Sequence, residues 1–564
     1  MKIILVQSPC WGIKCPPYGL AILATYLKKK GHQVYVKDLN IEFYHQRKDE
    51  YAEAWNAENH SFWVNPLLVS NFIFNYAEII DEKVNDILNT GAQIIGFSIH
   101  FSSEHLAKEI ARRIKEKDDK KIIIFGGPQA SRVNSGYKLL ESNYVDFVVQ
   151  GEGEVTLEEL ISKLGTNQRI DFCAGTFLKK DGKVFDCGDR PLIPSLDSLP
   201  FTDFSDFDFS RYTEPFVLPM FLSRGCPNKC IFCNEKPYWR NFRFRSAENV
   251  FAEIKYHLQK GMRIDHIDFH DSLINGNTKE LEKLCDLITA AGLKLRWSGQ
   301  VAVTKEMTYG LLLKMKSAGC VCLNYGLETG SSRLMQKIGK LLAKDADLNK
   351  VIQDTHNAGI EGILNFMFGF PQETENDFQE TLGFLARNRD YIDVVNPSPG
   401  FCAFDKGSYG YEHPDEFDII VGETGSLWES KDGINNYAAR IEKFERFLEK
   451  TRQLGIRSFY PHTRIVGRDT VLGYYYFMKK EWKTAILYLN EAIKEQPRNE
   501  SNWIYLAKSL AFAGDKKRAG ECFDEVIKMR LAKKDLQGVQ EIIEEALGMG
   551  ISLTKTDLEA FTNF

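Results

Sequence analysis

The chain lacks several things, and each absence narrows its reading. None of its 564 residues falls in an uninterrupted apolar run of the roughly 18–20 residues that a membrane helix needs, so no membrane span is expected. It has no surplus of basic charge: the formal net charge is −5, which provides no electrostatic footprint for nucleic acid or an anionic surface. No Gly-x-Gly-x-x-Gly occurs, which argues against a dinucleotide site. The twelve cysteines are spread along a long chain rather than crowded into a short one, the pattern of a reducing, cytoplasmic location without a disulfide framework. The opening MKIILVQSPCWG has a short apolar run without a small-residue cleavage site, so it reads as a first β-strand and not a signal peptide.

The chain is too long for one hydrophobic core. Residues 1–165 alternate buried apolar runs with amphipathic helices: KIILVQS, QVYVKDL, AQIIGFSI, KIIIFGG and DFVVQGEGE are the runs. That alternation predicts an α/β, doubly wound parallel sheet of Rossmann type, with its ligand beyond the carboxyl ends of the strands. Those ends carry SPCWGIKCPPYG, SIHFSS, GGPQAS and QGEGE. Residues 166–214 are expected to be a linker rich in Pro, Asp and Phe. From 215 to 395, HIDFHDS, LKLRWSGQ, CVCLNYGLETG and GILNFMFGFP alternate with helical stretches, as in a full or partial (β/α)6 barrel. Residues 466–564 repeat at an offset of 34, pairing Leu472 with Leu506, Gly473 with Ala507 and Leu489 with Phe523. A helix-turn-helix period of that length is the tetratricopeptide pattern, and a protein partner there is one reading; a helical hairpin packed on the rest of the chain is the other.

Between linker and barrel lies SRGCPNKCIFCNEKPYWR, with Cys226, Cys230 and Cys233 in the spacing CxxxCxxC. A zinc site takes four ligands, and no second pair is placed to complete one. Cys320 and Cys322 alternate on a predicted strand and read as packing. Three thiolates instead suit an iron–sulfur cube with one iron left open.

This stretch, with Phe232 before the last cysteine, resembles the radical S-adenosylmethionine (SAM) enzymes. WSGQ, MKSAGC, YGLETGS and NFMFGFPQET follow in the family's order. The resemblance implies that Cys226, Cys230 and Cys233 hold a [4Fe–4S] cluster whose open iron chelates SAM. It further implies SAM contacts at Phe232, Gln300, Glu328, Gly369 and Pro371, and an electron donor such as flavodoxin or ferredoxin. Residues 1–165 resemble the cobalamin-binding domain that precedes a subset of these enzymes. Cobalamin contacts are then expected at Pro17, Gly19, Ser98, Gly126, Gly127, Pro128, Gly151, Glu152 and Glu154. The Asp-x-His-x-x-Gly motif that supplies a cobalt-ligating histidine elsewhere is absent, so base-off cobalamin without that ligand is expected; His100 and His105 lie near, and the axial ligand stays open.

The pair of cofactor domains implies radical methylation of an unactivated carbon. The adenosyl radical removes the hydrogen and methylcobalamin delivers the methyl group. Residues 396–465 are expected to cap the barrel, with Tyr409, Tyr411, His413 and Trp428 as candidate contacts to a small-molecule, lipid or peptide substrate; ordinary packing is the rival reading. Rearrangement, cyclisation or oxidation with the same cofactors is the alternative activity. A cobalamin sensor acting through the helical repeats is the non-enzymatic one.

Overall fold

The computed structural model describes residues 1–56, 61–134, 136–166, 170–343, 346–398, 401–422, 425–462, 464–465, 467–532 and 535–553. The chain divides into two compact units. The first is Met1–Phe366, Thr374–Asn396 and Phe404–His413; the second is Met367–Glu373, Pro397–Ala403 and Pro414–Phe564.

The first unit opens with β1 (Lys2–Gln7), β2 (Gln33–Asp38), β3 (Ile94–Ser98), β4 (Ile122–Gly126) and β5 (Phe147–Val149). They lie side by side in the order β2-β1-β3-β4-β5, every pair parallel. Alternate residues of one strand enter two separate cores. Ile4 and Val6 face a cluster with Trp55, Trp63, Phe72 and Tyr76, whereas Ile3 and Leu5 face Leu20, Leu27, Leu157 and Leu160. Burial on both faces is why these strands read as continuous apolar runs rather than alternating ones.

The expected linker is not all linker. β6 (Thr176–Lys180) and β7 (Lys183–Asp186) extend the same sheet antiparallel, so it ends near residue 186 and not 165. The turn is Asp181-Gly182, both with positive φ (49° and 75°), the backbone twist that suits a two-residue hairpin. The local signal for this hairpin, Asp-Gly between two strand-like runs, is present in TFLKKDGKVFD.

The second sheet of this unit uses β8 (Val217–Met220). A short antiparallel ribbon follows, β9 (Ser223–Arg224) paired with β10 (Arg243–Phe244). β11 (His266–Phe269), β12 (Trp297–Val301), β13 (Cys320–Glu328), β14 (Glu361–Phe366) and β15 (Val394–Pro397) then continue the sheet in the order β15-β14-β13-β12-β11-β8. From β8 to β14 each neighbouring pair is parallel. The connecting helices start at side-chain caps that satisfy otherwise unpaired N–H groups: Ser246, Asn277, Thr308, Asp347 and Thr374. Thr374 and Asp377 form a reciprocal capping box.

The second unit includes the helix Tyr437–Gln453 and five further helices, Arg468–Met478, Trp482–Glu495, Glu500–Phe512, Lys516–Ala532 and Leu536–Gly548. Ala485, Leu489, Ala507, Ala519 and Phe523 share a core. A Cβ on Gly473 would lie 2.6 Å from Leu489, so the small residue is required there. The end of the expected repeat region, 554–564, lies outside the described residues.

In the first unit, the helix Ala247–Gln259 is tied to the 196–212 segment by a buried carboxylate. Glu253 is 1% exposed, pairs with Arg245 at 2.6 Å and accepts the Thr202 N–H at 2.7 Å. Burial alone would raise its pKa, but Arg245 and these hydrogen bonds outweigh it and hold the group at about 2. Such a carboxylate stabilises the fold above its ordinary pKa, and the gain is lost as pH falls toward 2. Glu253→Gln is therefore expected to lower stability by roughly 3–5 kcal/mol at pH 7. It should also flatten the loss of stability between about pH 4.5 and 2; a guanidinium titration matching wild type at pH 7 would contradict this.

Candidate active site

The three cysteines sit on the loop between β9 and the short helix Glu235–Trp239, all partly buried and unpaired by disulfides. The loop is stitched to the segment that follows GLETG. Lys229 N–H donates to Gly339 O (3.1 Å), Ile231 N–H to Ile338 O (3.0 Å) and Leu342 N–H to Asn228 Oδ1 (3.0 Å). Gly339 has φ +84°, and a Cβ there would stand 2.2 Å from Lys229 O, so only glycine permits the approach. Glu235 N–H points at Cys233 Sγ at 3.5 Å, as a donor to a thiolate would. Burial raises the Cys226 thiol and pushes Cys230 to about 11 and Cys233 to about 12, so metal binding must expel their protons. Among the described residues no three His, Cys, Asp or Glu are grouped for a single metal ion. A cube asks for something different, one thiolate on each of three irons, and three thiols on one pinned loop fit that demand.

Glu328 closes β13 with φ +70°, a left-handed conformation that costs a non-glycine residue on the order of 1–3 kcal/mol and that marks functional positions. A register shift against β14 lies between Gly326 and Glu328. Its carboxylate is paired: Lys340 Nζ lies 2.9 Å from Glu328 Oε1 and 2.7 Å from Gly326 O. Lys340 is buried. Desolvation lowers its pKa, but Glu328 and the nearby Cys230 and Cys226 raise it further, so it keeps its ammonium beside the carboxylate. Sequence reasoning missed Lys340; the Ile-Gly-Lys run twelve residues after Glu328 carried no motif signal of its own.

The other expected SAM residues divide. Gln300 is exposed on β12, and Phe232 is partly buried beside Cys233. Gly369 and Pro371 belong to the second unit. There Gly369 (φ +72°) lies against Arg440, whose Cγ would be 2.1 Å from an added Cβ, so packing by itself demands this glycine. Trp428 is corrected: it is fully buried, donates its indole N–H to Cys402 O (2.6 Å) and is covered by the Arg440 guanidinium at 4.3 Å. It is a core residue with no face left for substrate. Tyr409, Tyr411 and His413 lie on or beside the short helix Tyr409–Glu412, where Gly410 N–H donates to Ile231 O (2.8 Å) of the cysteine loop.

All nine expected cobalamin residues line one cavity of about 270 Å³ in the first unit. Pro17, Gly19, Ser98, Gly126, Gly127, Pro128, Gly151, Glu152 and Glu154 come from the carboxyl ends of β1, β3, β4 and β5. The facing wall is Phe221, Arg224, Tyr238, Trp239 and His270. No atom lies within 4 Å of a Cβ built on Gly19 or Gly151, so both leave open space. A slot lined by Leu5, Gly96, Ile124, Leu20, Leu23 and Leu157 runs down between the sheet and its helices.

Glu152 and Glu154, however, are not free to hold a ligand through their carboxylates. Arg224, two residues before Cys226, pairs with Glu152 at 2.6 Å and also with Glu154, and Arg243 pairs with Glu152 at 2.9 Å. Burial works against the Glu152 charge, yet Arg224 and Arg243 hold it below the usual carboxylate range. Their part is to join the first sheet's strand end to the β9/β10 ribbon.

A model of the radical SAM superfamily matches residues 220–385. The chain carries a radical SAM domain. It is 27% identical over 415 residues to an uncharacterized methyltransferase of Pyrococcus horikoshii, covering 71% of this chain and 82% of that protein. It is 23% identical over 414 residues to the cytidylyl-2-hydroxyethylphosphonate methyltransferase of Streptomyces wedmorensis, covering 67% and 73%. Among solved structures, the radical SAM methyltransferase TsrM of Kitasatospora setae, with tryptophan and a SAM analogue bound, matches at TM-score 0.60 and 15% identity, covering 82% of this chain and 92% of that one. The cobalamin-dependent SAM radical enzyme OxsB, with aqua-cobalamin and SAM bound, matches at TM-score 0.56 and 15% identity, covering 100% and 83%. At such identities the structural likeness is one of fold, and it extends well beyond the radical SAM domain.

Two outcomes test the site. Gly339→Val should strip most of the iron from anaerobically reconstituted protein, because its side chain displaces the backbone that braces the cysteine loop; wild-type iron content would refute the bracing. Arg224→Met strands Glu154 without its ion-pair partner, and is expected to cost roughly 3–5 kcal/mol in a denaturant titration. An unchanged midpoint would mean that the network holds nothing together.

Proposed function

We propose that the protein is a cobalamin-dependent radical SAM methyltransferase acting on an unactivated carbon of a small-molecule, lipid or peptide substrate. The observation that carries this reading is the single cavity into which four strand ends of the first sheet and the residues flanking the cysteine loop both project. Its open glycines, apolar slot and aromatic far wall suit a flat macrocycle with a nucleotide tail.

Bound together, a [4Fe–4S] cluster with SAM supplies a carbon-centred radical, and cobalamin supplies the methyl group. In this reading Cys226, Cys230 and Cys233 hold the cluster, and Gly339 keeps their loop in place. Glu328 and Lys340 offer a carboxylate and an ammonium, side by side, to the amino and carboxylate ends of an amino-acid cofactor, exchanging their mutual pair for the ligand. Within the first unit Gln300 and Phe232 are the further proposed SAM contacts. The loops at Pro17, Gly19, Ser98, Gly126 to Pro128 and Gly151 cradle the corrin through backbone and small side chains. Phe221, Tyr238 and Trp239 exclude water from the space where carbon would be attacked. Tyr409, Tyr411 and His413, tied to the cysteine loop, are the remaining candidates for substrate contact.

The same reading takes the first sheet, extended to Asp186, as the cobalamin domain. The β8 to β15 sheet is the partial barrel, and the helices from Arg468 to Gly548 are tetratricopeptide-like repeats open to a protein partner. A flavodoxin or ferredoxin would supply electrons in the cytoplasm; among the described residues no helix is long and apolar enough to cross a membrane.

The decisive experiment is anaerobic reconstitution with iron, sulfide and cobalamin, followed by incubation with SAM, reductant and candidate substrates. Formation of 5′-deoxyadenosine and S-adenosylhomocysteine together is expected, and Cys233→Ala should abolish the deoxyadenosine. Deoxyadenosine alone would replace methylation by rearrangement, cyclisation or oxidation. Protein that binds neither iron nor cobalamin would overturn the enzyme reading.

A further inference from the structure

One wall of the cavity carries a cation with a free donor. β11 runs HIDF into His270, and the two-residue period of a strand puts His266, Asp268 and His270 on one face while Ile267 and Phe269 are buried on the other. His270 follows the carboxyl end of β11, donates its N–H to Met220 O (2.9 Å) at the end of β8, and lines the cavity. Its ring has a fixed direction. Nε2 lies 3.4 Å from Asp268 Oδ2 and 3.8 Å from Cys15 Sγ, and Phe221 stands edge-on to the ring at 84°. Asp268 is held in turn: Lys14 Nζ donates to its Oδ2 (3.2 Å) and the Ser298 hydroxyl to its Oδ1 (3.2 Å). Lys14 also meets the exposed Glu214 at 3.5 Å, and the neighbouring Asp271 is occupied by the Leu222 N–H and the Ser223 hydroxyl. With Nε2 so engaged, Nδ1 makes no hydrogen bond among the described residues, and the side chain stays 34% exposed. Burial lowers the pKa of this imidazole, but Asp268 and Cys15 outweigh it and hold it at about 9, so the ring is charged at neutral pH. The other titratable groups on the cavity wall are spent. Glu152, Glu154 and Arg224 pair with one another. His100, pushed down to about 3 by burial, is neutral and stacked on Trp11 with centroids 3.5 Å apart. Burial keeps Tyr18 and Tyr238 un-ionised.

We infer that His270 recognises an oxyanion, a carboxylate, phosphate or phosphonate, on a molecule seated in this cavity, and that Asp268 is the positioning residue that aims it. An ionised donor makes a charge-assisted hydrogen bond roughly twice as strong as a neutral one, and a site partly out of water weakens it little. Two molecules can bring the oxyanion: the substrate, which is then an acidic one, or the phosphate of cobalamin's nucleotide tail. His270 belongs to the wall that faces the first sheet, whereas the apolar slot suited to the tail runs down between that sheet and its helices, so the substrate is the expected source. Naming these two sources rests on the proposed function; the oxyanion site itself rests on the residues of the wall.

The test is nuclear magnetic resonance of the full chain labelled with 15N-histidine, the His270 signal being assigned by its loss in His270→Gln, or in His270→Asn if the glutamine variant does not fold. Methylphosphonate and acetate are each titrated in, with tetramethylammonium as the control cation. Either anion is expected to shift the His270 signal saturably near neutral pH, the cation is not, and the response should fade above about pH 9 as the ring loses its proton. Asp268→Asn should return His270 toward its ordinary pKa of about 6.5 and weaken anion binding by about tenfold near pH 8, with recovery near pH 5.5. A purely structural role for Asp268 would give no such rescue by protonation. Repeating the titration with cobalamin bound, and with cobinamide, which lacks the nucleotide phosphate, separates the sources. A shift by methylphosphonate with cobalamin in place assigns the oxyanion to the substrate; the same shift produced by cobalamin alone and not by cobinamide assigns it to the nucleotide tail. No anion-dependent shift in any of these states, or an equal one from tetramethylammonium, overturns the site, and unchanged anion affinity in Asp268→Asn near pH 8 overturns the positioning role. Failure to bind cobalamin overturns the proposed function and leaves the result with the two free anions to decide the site.

Discussion

Four charges taken out of water hold the site together. Arg224 and Arg243 come from the ribbon around the cysteine loop, Glu152 and Glu154 from the end of β5, and their side chains are only 3–12% exposed. Desolvating such groups is costly, and the cost is repaid only when each charge is paired at close range. The network therefore tolerates essentially one arrangement. It places the strand ends of the first sheet opposite the residues next to Cys226, and the cavity between them exists because that placement does. It also accounts for the two sheets falling within one compact unit, where the sequence suggested two domains and a linker.

A second constraint acts within the radical SAM domain. Backbone that must approach backbone closely, at Gly339 against Lys229 O, and a non-glycine held at positive φ, at Glu328, are both unfavourable in isolation. They persist because the parallel strands and capped helices around them set the chain's path. The result is a carboxylate and an ammonium brought beside the thiols on separate stretches of chain. There the carboxylate and the ammonium neutralise one another at 2.9 Å, which makes their burial beside the thiols tolerable.

Much of this was legible beforehand. The buried strands of the first sheet announced themselves by length and apolar continuity, and the nine residues expected around cobalamin all fall on one cavity, because glycine- and serine-rich strand ends in a doubly wound sheet converge on one edge. The hairpin Thr176–Asp186 was legible but overlooked: its Asp-Gly turn sat in a stretch otherwise crowded with Pro and Asp. Trp428 could not have been placed from sequence, since an aromatic in an irregular segment packs inward or outward according to what folds over it, and here Arg440 does so. Gly369 shows the same ambiguity: a glycine that suggests room for a ligand also satisfies a close approach by Arg440.

By itself the sequence determined the three thiols on one loop, the alternation that builds two parallel sheets, and the helical character of the last hundred residues. These are local properties, because periodicity and spacing record how each element buries its own face. Only the tertiary structure decided which charges meet. Arg224 and Glu154 are 70 residues apart, and Trp11 and His100 are on loops of different strands. Whether a carboxylate binds a ligand or an arginine, and whether a histidine is a donor or a stacked ring, depends on neighbours that no local pattern specifies.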